Sequence, residues 1–253
     1  MTGAKILGLG AVLAAVLPAP MTARAGYVGR IEAEFTGVSP AKSVWVSTLR
    51  PGGVNVIAGV YHWTKTTPDD GPFWTFCIEP TKWLDSDETV FQVHTLDQIL
   101  GGAAGDYIVA DYVEELWYQK VIVGDLIDPY GSSDTDKRNA AAFQIAVWEF
   151  VHEDYSEYGY DLGTGDFRAC NSCAVWLAQQ WIGNVVDALY DSENPGPSGS
   201  TLLYAMTSSE TQDQAVLGAE FQVVPLPAAV WGGMMLLGGM GGVAGVRRRL
   251  RRG

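Results

Sequence analysis

The sequence holds three cysteines, Cys77, Cys170 and Cys173. Cys170 and Cys173 are close enough in the chain to pair locally, and we expect them to form a disulfide staple at the start of a helix. A redox pair is the alternative, but that use needs a thioredoxin-like fold, and the surrounding pattern does not read as one. Cys77 is then left alone. An odd cysteine in an exported protein is buried, paired between chains, or chemically used. A partner for chemistry lies further on. Residues 141–148 read AAFQIAVW, and Gln144 is the only polar side chain between Ala140 and Glu149 in a segment apolar nearly all round, which marks a buried helix. A buried carboxamide must find hydrogen-bond partners or cost free energy. Attack of the Cys77 sulfur on the Gln144 amide carbon gives another resolution: ammonia leaves and an internal thioester remains.

An amide is a poor acyl donor because its amine leaves badly. Fixed geometry can supply an effective molarity worth ~7–11 kcal/mol of that barrier. Water must be kept out, since it would hydrolyse the product. Trp74, Phe76, Phe143 and Trp148 flank the pair and are expected to form a dry wall. A finished thioester is a covalent trap: an approaching amine takes the Gln144 acyl group and Cys77 leaves as thiolate. This happens once per molecule, so the chain is not expected to be an enzyme, and no cofactor is called for. Against this stands a plainer reading, in which Cys77 is a small buried hydrophobe and Gln144 is simply hydrogen-bonded.

The elements that must position the pair follow from periodicity. Residues 27–35 alternate apolar and charged, which is a half-buried strand. Residues 43–48 and 54–64 continue the pattern around the turn signal Pro51-Gly52-Gly53, and 73–78 is a further strand ending at Cys77. Strand patterning returns at 201–206 and 215–223. Between these lies a helical section: a short helix at 96–100, one capped by Asp106 and running to about residue 121, and one at 135–152. The last of these is capped by Ser133 with Asp136 at the capping-box position. A final helix covers 174–190 and stops at Asn194-Pro195-Gly196-Pro197. The expected fold class is α+β: an antiparallel β framework, sandwich- or barrel-like, from both ends of the domain, with a helical insertion.

Phe76-Cys77-Ile78-Glu79 and Phe143-Gln144-Ile145-Ala146-Val147-Trp148 resemble the two motifs of the thioester domains of bacterial surface adhesins, an aromatic-Cys strand and a later apolar-Gln helix. The resemblance spans roughly residues 27–223, with only these two motifs specific. It implies a Cys77–Gln144 thioester that bonds to amines of a surface protein or polymer. Pro80 departs from the family, standing where an apolar strand residue belongs. That family is best known on Gram-positive walls, whereas the tail described next implies a Gram-negative envelope.

Both ends of the chain read as export signals. Lys5, an apolar run over 6–17 and Ala23-Arg24-Ala25 form a secretory signal, residues 1–25. At the other end, residues 223–246 are apolar and uncharged, long enough to span a bilayer, and Arg247, Arg248 and Arg249 open an arginine cluster that stays cytoplasmic. Val224, Pro225, Leu226, Pro227 and Ala228 resemble the VPLPA variant of the PEP-CTERM sorting domain, which implies an exosortase-type protease as partner. The expected division is therefore a signal at 1–25, a thioester-domain-like ectodomain at 26–222 and a sorting tail at 223–253. The location is inner-membrane anchored, then cell surface or extracellular. The alternative function keeps this sorting and makes the body a non-catalytic envelope or biofilm-matrix protein with a structural Cys77.

Composition narrows the partners. The chain carries 16 basic and 29 acidic residues; seven of the basic ones and none of the acidic ones lie in the two end segments, so the ectodomain stands at nine against 29, a formal −20. Nucleic acid is excluded as a partner by that sign, while cationic partners are favoured. His62, His94 and His152 match no zinc spacing. Asp125, Asp128, Asp134 and Asp136, like Asp161 and Asp166, miss calcium-loop spacing. A cysteine protease would need His94 or His152 beside Cys77, and nothing in the sequence places either there.

Overall fold

The structure is a computed structural model that describes residues 27–47, 52–67, 71–82, 84, 87–104, 107–153, 155, 159–170, 172–191 and 203–218. The signal segment, Asp106, the sorting residues Val224 to Ala228 and the arginines Arg247 to Arg249 lie outside them. Among the described residues no helix is long and apolar enough to cross a membrane.

Strands β1 (Tyr27–Val46), β2 (Val54–Thr67), β3 (Gly71–Cys77), β4 (Thr89–Thr95), β8 (Leu203–Thr207) and β9 (Gln214–Leu217) close into an antiparallel ring. Its order is β1-β2-β3-β9-β8-β4 and back to β1. The ring closes because β1 is long enough to serve two neighbours. Its first half pairs with β4, Ile31 opposite Phe91, and its second half with β2, Val44 opposite Val56. Register shifts between Phe35 and Ala41 mark the bend between the two halves, as bulges do where a sheet curves. Gly59 faces this bend, and a Cβ there would sit 2.3 Å from the Pro40 carbonyl oxygen, so only glycine fits. The two strands expected at 27–35 and 43–48 are thus one. The alternation of Thr89–Thr95, not anticipated above, supplies the strand that seals the ring, with Phe91 and Val93 inward and Val90 and Gln92 outward. A two-residue hairpin, β5 (Ala103–Ala104) with β6 (Tyr107–Ile108), and β7 (Ala169–Cys170) on the edge of β1 complete the strands.

The helices are α1 (Leu96–Ile99), α2 (Val109–Trp117), α3 (Asp134–His152) and α4 (Cys173–Leu189). At the start of α2 the capping position is Ile108, whose N–H donates to Asp111 Oδ2 at 3.0 Å; the helix then widens into a π-helical turn over Tyr118–Val123. α3 begins as its sequence dictates. Ser133 Oγ accepts from Asp136 N at 3.1 Å and Ser133 N donates to Asp136 Oδ2 at 2.8 Å, a reciprocal cap worth about 1 kcal/mol. From Asn139 to Phe150 every α3 residue is buried, because the helix lies between the barrel wall on one side and α2 and α4 on the other. The fold is α+β: a barrel-like antiparallel core with a few helices, of which α3 packs against β1, β2, β3, α2 and α4.

Candidate functional site

β3 carries the first half of the site. Its pairing with β2 ends at Thr75 opposite Tyr61, while its pairing with β9 runs on to Cys77 opposite Gln214. Ile78 N–H donates to the Asp213 carbonyl at 2.9 Å on the β9 side. Backbone groups alternate sides along a strand, so the N–H and C=O of Cys77 point to the side that β2 has left. Two buried backbone groups would be orphaned there. Gln144 of α3 takes both: its Oε1 accepts from Cys77 N at 2.9 Å and its Nε2 donates to Cys77 O at 2.6 Å. Both residues are 0 % exposed. The buried carboxamide thus finds its partners on the backbone of the residue whose sulfur would attack it.

Three groups surround the sulfur. The Trp148 indole, one helical turn beyond Gln144, makes no regular hydrogen bond through its N–H and faces the sulfur closely enough to favour the thiolate; the Glu79 amide N–H does the same. Tyr61 is the third: burial holds its pKa well above the usual tyrosine value, and the nearby Cys77 sulfur adds to that. Burial dominates and pushes the Cys77 thiol up to about 12, with the Glu79 and Asp213 charges adding to it. The resting group is a protonated thiol.

The aromatic wall divides. Successive strand residues face opposite ways, so Trp74 and Phe76 lie on the other face of β3 from Cys77. They pack there with Phe143 and with Trp117 of α2: Trp74 stacks on Trp117 at 5.4 Å, and Phe76 meets Phe143 at 4.3 Å between ring centroids. These rings seal the outside of β3. Only Trp148 of the four residues expected around the pair faces the sulfur, and Tyr61 and Trp117 were missed. On the inner face a polar line runs beside Cys77: Trp63 Nε1 donates to Thr75 Oγ1 at 2.9 Å, which donates to Gln214 Oε1 at 2.8 Å.

The remaining candidates separate from this centre. Cys170 ends β7 and Cys173 opens α4; both are free thiols here, one half-buried and one exposed, so the expected staple is not formed in this structure. His152 lies two turns along α3 from Gln144, at the Ile78 carbonyl, with burial lowering its pKa and Nε2 unpartnered. His94 sits on β4, opposite Ala205. Asp128 and Asp161 accept the N–H groups of Tyr130 and Gly163 in local turns. Among the described residues no three His, Cys, Asp or Glu side chains converge to hold a metal ion.

A cavity of about 380 Å³ adjoins the site, lined by residues of β1 and β2, the segment after β3, Trp148 and Gln212. Tyr61 and Trp148 belong both to this cavity and to the surroundings of the sulfur.

Among solved structures the chain is similar to the N-terminal thioester domain of the fibronectin-binding protein SfbI from Streptococcus pyogenes. The identity is 12%, over 76% of this chain and 93% of that one, with a TM-score of 0.42. It is also similar to the N-terminal thioester domain of a surface protein from Clostridium perfringens, at 11% identity over 74% and 97%, with a TM-score of 0.36. No family profile and no characterised protein sequence matches the chain.

Proposed function

We propose that this protein is an exported bacterial surface protein that attaches covalently to an amine-bearing target through a thioester between Cys77 and Gln144. The reciprocal hydrogen bonds between the Gln144 carboxamide and the Cys77 backbone carry the reading. Cys77 N–H already donates to the oxygen on which negative charge develops when the amide carbon becomes tetrahedral, the arrangement of an oxyanion hole. The sulfur attacks that carbon, its proton goes to the departing nitrogen, and the C–N bond breaks to release ammonia. Water is excluded by the same burial that keeps the thiol protonated. In the attachment step an amine nitrogen attacks the acyl carbon, the C–S bond breaks, and the proton lost from nitrogen returns to sulfur.

The test is the intact mass of the mature exported protein before and after methylamine. The expected result is a mass short by one ammonia, then raised by one methylamine, with both changes lost in Cys77→Ala and Gln144→Ala. A full-length mass unmoved by methylamine, together with a titratable thiol at Cys77, would sink the reading. It would leave a second one: a sorted envelope or matrix protein in which the intact carboxamide clamps the free edge of β3. That reading draws on the same two hydrogen bonds, which need no reaction to stabilise the fold. Under either reading the sequence of the two ends proposes export, a membrane tail and removal of that tail by an exosortase-type protease.

A further inference from the structure

We infer that the cavity beside Trp148 is the acceptor site of this thioester and that it selects a primary amine carried on an apolar body. The inference rests on the thioester reading above. The cavity lies at the mouth of the barrel, where the β1–β2 ladder and the segment after β3 stand apart. Its volume, about 380 Å³, is in the range that binds small organic groups. Two of its walls, Tyr61 and Trp148, are the side chains that face the sulfur, so an acceptor seated in it lies one side chain away from the buried Cys77–Gln144 pair.

The lining sets the chemistry. Phe35, Val38, Val54, Val56 and Leu84 make it largely apolar, and among the described residues no carboxylate lines it, although the ectodomain is strongly acidic. The one ammonium at its wall, Lys82, is drawn towards Glu79 at 2.8 Å, Asp213 at 3.8 Å and the Ser208 carbonyl at 3.2 Å. The polar part of the described wall is small: Asn55, Thr81, the ion-paired Lys82 and Gln212, whose Oε1 is buried without a hydrogen-bond partner and can accept from an incoming amine N–H. An apolar site disfavours the charged form of an amine, and only the free base can attack. Apolar surface on the acceptor gains by burial against these side chains. An amine on a sugar sets most of its hydroxyls against the apolar side chains, and a second ammonium on the acceptor meets Lys82. The occupant that fits is an alkyl or aryl amine, such as a peptide amine with a neighbouring aromatic or branched side chain.

The experiment follows the mass of the methylamine-reactive protein with 2-phenylethylamine, methylamine, glucosamine and ethylenediamine, compared at equal free-base concentrations. 2-Phenylethylamine is expected to react at least tenfold faster than the other three, adjusting for nothing but free base. Val56→Trp, which fills the cavity, and Leu84→Glu, which charges its wall, should each abolish that advantage while methylamine still adds. Equal rates for all four amines, a preference for glucosamine, or an advantage that survives both variants would overturn the inference and leave the thioester standing. Absence of any methylamine adduct would overturn the thioester reading, and this inference with it.

Discussion

Two opposed effects meet at the Cys77 sulfur. Burial makes the thiol a weak acid, pushed up to about 12, while the Trp148 and Glu79 N–H groups stabilise whatever negative charge sulfur acquires. Before any thioester forms the sulfur rests as a dry, protonated thiol; in the attachment step proposed above, the same N–H donors would stabilise the thiolate that leaves. Trp148 also holds its place by the helical repeat, four residues after Gln144, so that one face of α3 delivers the acyl donor and the charge-stabilising donor together. Removing only the N–H separates its two roles. In Trp148→Phe the ring still packs but the donor is gone. A hydrogen bond to a charged group is worth about 1.5–3 kcal/mol, so the methylamine reaction should slow by about tenfold or more. The unfolding midpoint should move little. An unchanged rate constant would show that the indole acts only as a wall.

At the scale of the element, α3 carries a second buried group that the proposed chemistry does not use. Glu149 is 0 % exposed, and burial, with the Glu153 carboxylate adding to it, pushes its pKa up to about 9. Glu153 Oε2 accepts the Phe167 N–H at 2.9 Å, which ties the segment before β7 to the helix. Because the folded pKa of Glu149 lies above the ordinary carboxylate value, its contribution to stability is complete below about pH 4 and is lost as pH rises towards 9. Glu149→Gln removes that dependence. Thermal melts should therefore show the variant gaining on the parent as pH goes from 5 to 8, with the gain smallest at pH 5; a pH-independent difference would place the ionised form in the native state. The same helix shows what a sequence can and cannot disclose. The Ser133–Asp136 cap is legible because it is local, three residues across, and the burial of Gln144 is legible because every neighbour is apolar. Strand alternation even carried the sidedness of Trp74 and Phe76 relative to Cys77, a signal available in the two-residue period. The partners of the carboxamide were not legible. They exist because β2 leaves β3 after Thr75 while β9 runs on to Cys77, a matter of long-range strand pairing. Tyr61 and Asp213 reach the site through the β2 and β9 pairings and left no local trace.

For the whole molecule, the separation of charge from cavity is the organising feature. The chain is acidic, nine basic against 29 acidic residues over positions 26–222, while the described lining of the cavity beside the sulfur is largely apolar and bounded by Lys82. Under the proposed function a cationic target would be gathered by the surface and would shed its charge to react inside. The two steps respond to different variables. Gathering is a field effect that salt screens over about 8–10 Å at moderate ionic strength. Reaction inside the cavity depends on the free base and on fit. Methylamine, a cation at neutral pH, and hydroxylamine, which is neutral, separate them. Raising salt from low to above physiological strength should slow methylamine addition, by a factor of up to about ten, and leave hydroxylamine addition unchanged. Raising pH at fixed salt should speed methylamine in proportion to its free base. If both nucleophiles lose rate together as salt rises, the effect lies in the fold and not in the field. If neither does, the acidic surface plays no part in capture.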